Sequence, residues 1–201
     1  MVSWLRESKR ALWAATRLMI VFTVLLGVVY PLVVLGIGQA AFHSKANGSM
    51  VHDLNGRVIG SSLIGQSFSD AGGNPLPQYF QPRPSAVGYD ARTSGGSNRG
   101  PDDPELVARI TTLRTQIAEF NGVTLADVPP DAVTESGSGL DPDISLEYAR
   151  IQINRVAKAR GLSVDTVTSL VDQHTQRPDM GYAGTTRVNV LLLNLALDEL
   201  K

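Results

Sequence analysis

The hydrophobic pattern sets the first quarter of the chain apart from the rest. Leu18 to Phe42 is a run of 25 residues without a charged side chain, whereas the strongest later stretch, Val188 to Leu197, is ten residues long and is interrupted by Asn189 and Asn194. A helix rises about 1.5 Å per residue and the hydrocarbon core of a bilayer is about 30 Å thick, so about 20 apolar residues cross it. The run predicts one transmembrane helix. A cleavable export signal also begins with positive charge, but its apolar core spans only about 7 to 15 residues. Pro31 lacks an N–H and restricts Tyr30, which predicts a kink or local break inside the span. Gly27, Gly36 and Gly38 offer points of close helix approach. Gly27, Tyr30, Pro31 and Gly36 are therefore candidate contacts for a partner helix.

After the anchor the pattern shortens. Residues 48–101 are rich in Gly, Ser, Asn and Pro, with small apolar groups at Val58-Ile59, Leu63-Ile64, Tyr79-Phe80 and Val87, which predicts short strands, turns and ordered loops. From Asp102 the period becomes helical. Asp102 or Asp103 is placed to cap a helix that tolerates Pro104 in its first turn, carries Leu106, Ile110, Leu113, Ile117 and Phe120, and stops at Asn121-Gly122. A second helix is expected from near Asp143 or Ser145 to Gly161, and a third from Ser163 to about Thr175. Val188 to Leu200 reads as strand or helix, with its leucines favouring helix. The fold class is α+β: one N-terminal transmembrane helix, then one α+β domain.

Charge adds a direction. Residues 1–17 carry four Lys/Arg (Arg6, Lys9, Arg10, Arg17), and the comparable stretch 43–59 carries two, Lys45 and Arg57. By the positive-inside rule the basic N-terminus, 1–17, is cytoplasmic, the helix is 18–42, and residues 43–201 form an extracytoplasmic domain of a single-pass protein in the cell (inner) membrane. The overall charge of −1 conceals an acidic domain: residues 43–201 hold 14 Lys/Arg against 18 Asp/Glu. Ten of those carboxylates lie between Asp102 and Glu147, where the basic residues are Arg109 and Arg114. Such a surface is the opposite of a nucleic-acid platform, so no nucleic-acid partner is expected. A negative face beside a channel mouth would concentrate cations if it sat within about 8 Å of the entrance; a merely solvated face is the plainer account.

Catalytic signals are sparse. His43, His52 and His174 have no metal-ligand spacing and the chain has no cysteine. Gly60-Ser61-Ser62 and Ser136-Gly137-Ser138-Gly139 do not form a nucleophile elbow and read as turns. Ser94 to Gly100 offers backbone amides to an anion, yet lacks the G-K-[ST] ending of a phosphate-binding loop.

The order of motifs is more specific than any one of them. Tyr30-Pro31 in the anchor is followed by Ala46-Asn47-Gly48-Ser49, Gly60 to Gln66, Tyr79-Phe80, Arg83-Pro84-Ser85 and Ser94-Gly95-Gly96-Ser97-Asn98. Ser138-Gly139-Leu140-Asp141-Pro142, Arg155 to Gly161, Gln173-His174-Thr175, and Arg187-Val188-Asn189-Val190 through Asp198 complete the series. Over nearly the entire chain this resembles the C subunit of the bacterial Kdp potassium-transporting P-type ATPase. The resemblance implies a non-catalytic accessory subunit of a high-affinity potassium import complex, needed for assembly and activity. Its partners would be a channel-like potassium-translocating subunit, an ATP-hydrolysing P-type subunit and membrane lipid.

Potassium is then the substrate of the complex, and ATP enters through the family's description as a catalytic chaperone that raises ATP affinity. The residues themselves imply no bound cofactor. The motif loops Gly95, Gly96, Ser97 and Asn98, Gly139, Leu140 and Asp141, and Gln173 and His174 become candidate partner contacts, with no catalytic residue and no metal ligand. An external domain cannot touch cytoplasmic ATP, which favours indirect coupling. The alternative is a stand-alone membrane-anchored extracytoplasmic cation-binding protein.

Overall fold

The computed structural model describes residues 3–53 and 55–200; the side chains of residues 3–7, Arg6 of the basic flank among them, lie outside the described part. The chain separates into two units, residues 1–49 and 50–201.

The first unit is helical. α1 (Ser3–Val24) passes through one π turn, Leu25–Val29, into α2 (Tyr30–Ala41), and the short α3 (His43–Ala46) follows. The 34 residues from Ser8 to Ala41 form one helix long and apolar enough to cross a membrane. The break predicted at Pro31 takes the form of the π turn, in which the Tyr30 N–H donates to the Leu25 carbonyl five residues back. Pro31 has no N–H to give the Gly27 carbonyl and its ring crowds that oxygen; widening the helix by one residue relieves the crowding and keeps neighbouring backbone bonds inside the helix, as hydrocarbon requires. The apolar side chains of this helix are exposed all round, Leu26, Leu32 and Ile37 among them. A Cβ added at Gly27 or Gly36 would meet nothing within 4 Å.

The second unit opens with the antiparallel pair β1 (Met50–His52) and β2 (Val58–Ser61). A long irregular segment follows before α4 (Pro104–Asn121), which Asp103 caps by accepting from the Glu105 and Leu106 N–H groups and which Gly122 ends in the left-handed conformation. The short α5 (Pro130–Val133) leads to β3 (Asp143–Ser145), which runs directly into α6 (Leu146–Arg160). α7 (Val164–Gln173), capped by Ser163, β4 (Thr175–Gln176), β5 (Arg187–Asn189) and α8 (Val190–Glu199) complete the fold. The strands form an antiparallel sheet in the order β3-β5-β4, with Ile144 opposite Val188.

Two turns from strand to helix share one device. The last strand residue is also the helix cap: Ser145 Oγ accepts from the Tyr148 N–H at 3.0 Å, and Asn189 Oδ1 accepts from the Leu192 N–H at 3.1 Å. This explains why the sequence boundaries differ from the observed ones. Asp143 belongs to a strand rather than to a helix start, and the C-terminal stretch is strand for its first residues and helix thereafter. Cap residues favour extended backbone, so one residue can end a strand and begin a helix.

α6, α7 and α8 enclose the core, with Ile153, Val156, Val167, Val171, Leu193 and Leu197 buried; Ala118 of α4 joins them, and Ile144 and Val188 come from the sheet. Phe80, from the irregular segment, is wholly buried among them. Burying such a ring contributes about 2 to 3 kcal/mol, but it drags polar backbone into the core. Side chains answer that backbone. Asn194 Oδ1 accepts from the Phe80 N–H at 2.8 Å and its Nδ2 donates to the Phe80 carbonyl at 3.0 Å. Gln152 does the same for Gln81, at 2.7 and 3.2 Å. Arg155 donates to the Pro77 and Tyr79 carbonyls, to Gln152 Oε1 and to Asn121 Oδ1, and stacks over Phe120 at 4.4 Å. Burial holds its guanidinium down at about 10. Arg160 continues the line, donating to the Gln78 and Leu197 carbonyls and to Asp198.

Replacing Asn194 with Ala leaves both polar groups of Phe80 buried and unpaired. The expected loss is about 2 to 4 kcal/mol, read by chemical unfolding of the detergent-solubilised chain, with an exposed α8 substitution at Glu199 as control.

Candidate partner-binding surface

The irregular segment re-emerges from the core at Gln81 and is fastened to the loop before β3. Arg83 is the hub. Its Nη1 donates to Asp141 Oδ2 at 2.9 Å and its Nη2 to the Thr134 and Glu135 carbonyls. Its own carbonyl accepts from the Tyr89 hydroxyl at 2.6 Å. Burial pushes that phenol up to about 12, so it remains a proton donor at physiological pH. Ser85 Oγ donates to the Gly139 carbonyl at 2.6 Å and accepts from the Val87 and Tyr89 N–H groups. The Gly95 N–H donates to the Ser138 carbonyl at 2.9 Å, and the Gly65 N–H to the Leu140 carbonyl at 2.7 Å.

Gly139 sits where three strands of chain cross. Its φ is +68°, and a Cβ there would lie 2.6 Å from Val87 Cγ2 and 2.7 Å from the Gly95 carbonyl oxygen. Only glycine combines that conformation with that proximity. A Cβ at Gly96 would lie 3.4 Å from the Ser136 and Gly137 carbonyl oxygens, while Ser97 lines a small recess of about 180 Å³ with Arg99, Glu105, Arg109 and Glu135, whose side chain is buried. Asn98 adopts a left-handed turn conformation, φ 53°.

The structure thus brings Gly95, Gly96, Gly139, Leu140 and Asp141 together, with Ser97 and Asn98 continuing from them. Gln173 and His174 are elsewhere, at the end of α7: Gln173 is exposed, and His174 Nδ1 folds back to the Leu170 carbonyl at 2.9 Å. Gly27, Tyr30, Pro31 and Gly36 belong to the first unit. An anion cradle at Ser94 to Gly100 is not formed at Gly95, whose N–H is already given to Ser138. Among the described residues no three of His, Cys, Asp and Glu converge as metal ligands would.

Beyond the Arg83–Asp141 pair opens a cleft of about 660 Å³, bordered by Asp131, Asp141, Asp143, Glu147, Arg83 and Arg187. Asp131 accepts from both the N–H and the hydroxyl of Ser145, each at 2.8 Å, and so fixes the β3–α6 corner. Asp143 meets Arg187 Nε at 3.0 Å and Asn189 Nδ2 at 3.2 Å. Burial, and next the Asp141 charge, still raise its carboxyl above the ordinary 3.8.

The acidic stretch read from the sequence is therefore not a free acidic face. Asp103 and Glu105 pair with Arg99, Glu135 with Arg109, Asp141 with Arg83 and Asp143 with Arg187, while Asp127 closes a capping box with Thr124. Charge counts along the chain miss the partners of four of these carboxylates because Arg83, Arg99 and Arg187 lie outside 102–147. They also miss Arg83 itself as a hub, and the core amides Gln152 and Asn194. The two amides carried a signal, since each interrupts an apolar helical stripe at a position that must face inward.

Gly139→Ala is expected to destabilise the chain by about 2 to 4 kcal/mol, from the left-handed backbone and the clash with Gly95, as measured by thermal or chemical unfolding. Asp143→Asn tests the raised carboxyl. Because the folded state holds that proton more tightly than the unfolded chain, wild-type stability relative to the variant falls as pH rises from 3.8 through the folded value. Parallel unfolding curves at pH 4 and pH 7 with no change in that difference would contradict the assignment.

A family profile described as KdpC, K+-transporting ATPase, c chain, matches residues 12–199. The chain is 53% identical over 180 residues to the potassium-transporting ATPase KdpC subunit of Caulobacter vibrioides, covering 88% of this chain and 87% of that one. It is 49% identical over 189 residues to the subunit of the same name from Geobacter metallireducens, covering 92% and 96%, and 47% identical over 196 residues to that from Mycobacterium tuberculosis, covering 96% and 100%.

Proposed function

Since the chain belongs to the KdpC family, the c chain of K+-transporting ATPases, we propose that it is a non-catalytic accessory subunit of an ATP-driven potassium import complex, required for assembly and full activity. The observation that carries this reading is the long helix Ser8–Ala41, whose apolar side chains are exposed on every side. Such a surface is stable only under lipid or against other apolar helices. The π turn before Pro31 and the open surface at Gly27 and Gly36 fit a helix that docks as well as anchors, because small residues let neighbouring backbones approach. We read residues 1–17 as cytoplasmic from the four basic residues there, and 43–201 as extracytoplasmic.

On this topology the complex's potassium-translocating and ATP-hydrolysing subunits are the partners, and Gly95–Asn98 with Gly139–Asp141 form the rigid face offered to them. Any rise in ATP affinity is indirect: a subunit that binds one pump conformation more tightly shifts the population toward it, and ATP need not touch this chain. The pairing of five carboxylates weakens a charge-funnel role, leaving Asp102, Glu119, Asp127, Asp131 and Glu147 as acids of the stretch without an ion-pair partner among the described residues, of which Asp127 and Asp131 are held by Thr124 and Ser145.

The test is potassium-stimulated ATPase activity of the complex purified and reconstituted with and without this chain. Omission is expected to lower activity at limiting ATP by about tenfold or more, the scale of a coupling of 1 to 3 kcal/mol, and less at saturating ATP. Unchanged activity and intact assembly without the chain would refute the accessory role.

A further inference from the structure

We propose that residues 178–184 form a docking knob, whose apolar tip Met180 and Tyr182 seats in a socket on another subunit of the ATPase while charges of opposite sign on its two flanks set the register. Met180 is 88% exposed and Tyr182 79%, more than any other large apolar side chain of the described residues. An isolated exposed apolar residue is ordinary; two on one tip, held in place, are not.

The turn is built to hold them. Asp179 and Ala183 exchange both backbone hydrogen bonds at 2.9 Å, the Gly181 N–H donates to the Pro178 carbonyl at 3.1 Å, and the Tyr182 hydroxyl donates to Met180 Sδ at 3.7 Å. Met180 itself is in the left-handed region, φ 54°, a conformation that opposes a bulky side chain and persists only where surrounding bonds over-determine it. Tyrosine and methionine are enriched at the centres of protein interfaces, where they supply large contact area at low entropic cost.

The flanks differ in sign. On one side Thr185, Thr186 and Arg187 border the cleft where Asp131, Asp141, Asp143 and Glu147 outnumber Arg83 and Arg187. On the other, Pro178 and Thr186 border a recess of about 450 Å³ where Arg150 and Arg177 outnumber Asp172. An apolar centre rimmed by charge of both signs matches a protein surface of the inverse pattern: a socket with basic groups toward the first flank and acidic groups toward the second. A lipid headgroup layer does not offer that alternation. A second copy of this chain would set knob against knob rather than knob into socket.

This inference rests on the accessory-subunit reading, and one experiment separates the two. The full chain, affinity-tagged, is co-expressed with the remaining subunits of the complex and recovered in detergent over a range of salt, as wild type, Met180→Ser/Tyr182→Ser and Arg177→Glu. All three are expected to unfold at the same temperature, because the altered side chains are exposed. The double variant is expected to retain about tenfold less of the other subunits, and Arg177→Glu to lose subunits most at low salt. Equal retention by all three overturns the knob, whereas failure of the wild type to retain any subunit removes the accessory reading and the knob together. Because the chain has no cysteine, Met180→Cys can carry a single photocrosslinker in the assembled complex. An adduct with another subunit supports the proposal; an adduct with lipid or a second copy, or no adduct, overturns it.

Discussion

The unit from Met50 onward depends on backbone that forms neither helix nor strand yet runs through the core. From Pro77 to Gln81 the chain carries Phe80 to zero exposure, and its peptide groups are met by side-chain amides and guanidinium groups from α6 and α8. A buried amide without a partner costs about 1 to 3 kcal/mol, so this arrangement is tolerable only when complete. Asn194 and Gln152 achieve completeness by acting as surrogate peptide groups, each giving one donor and one acceptor to a single residue. Arg155 reinforces Gln152: it donates to Gln152 Oε1, to two carbonyls of the segment and, through Asn121, to the end of α4. One cation thereby ties three pieces of chain together: α6, the buried segment and the end of α4. Its oxygen partners are neutral, which is why burial draws its acidity toward about 10 rather than being balanced by a carboxylate.

That anchor explains how a surface made of loops can be rigid. Gln81 leaves the core already fixed at both its N–H and its carbonyl, and two residues later Arg83 grips Asp141 and the Thr134 and Glu135 carbonyls. The Gly95 and Gly139 loops are then held by each other's backbone through Ser138 and Ser85. Order is transmitted from the helices to the loops by hydrogen bonds rather than by extending the sheet, which suits a face that must keep its shape without a broad apolar core beneath it.

How much of this was legible in the sequence depends on whether the signal was local. The stop at Gly122, the Ser163 start and the Gly161 end lie within one helical turn of the elements they bound and were readable, while Asp103 and Ser145 were each readable as one of two candidate caps, beside Asp102 and Asp143. The break at Pro31 was readable too, although its π form depends on how the helix accommodates one crowded carbonyl. What composition could not supply was pairing across distance: Arg83 with Asp141, Asn194 with Phe80, Asp143 with Arg187. The sequence marks these residues as polar and says nothing about which partner each will find. The glycine at 139 was legible as a motif member, but its reason, that any Cβ there would fall inside contact distance of the Gly95 carbonyl and Val87, exists only once three loops meet.

The same distinction governs electrostatics. A run of ten carboxylates against two arginines looks like a field aimed at a cation, and a field needs charges that remain unneutralised at the surface. Here Asp103 and Asp127 serve as caps, Asp131 holds a strand-to-helix corner, and Glu135, Asp141 and Asp143 are drawn into ion pairs with arginines. Their first use is structural. At about 8 Å of screening length, a carboxylate 3 Å from a guanidinium presents a dipole to anything farther away, not a charge. The paired acids consequently belong to the domain's architecture, and what the cleft beside Arg187 can still show as charge comes from Asp131 and Glu147, which no arginine neutralises among the described residues.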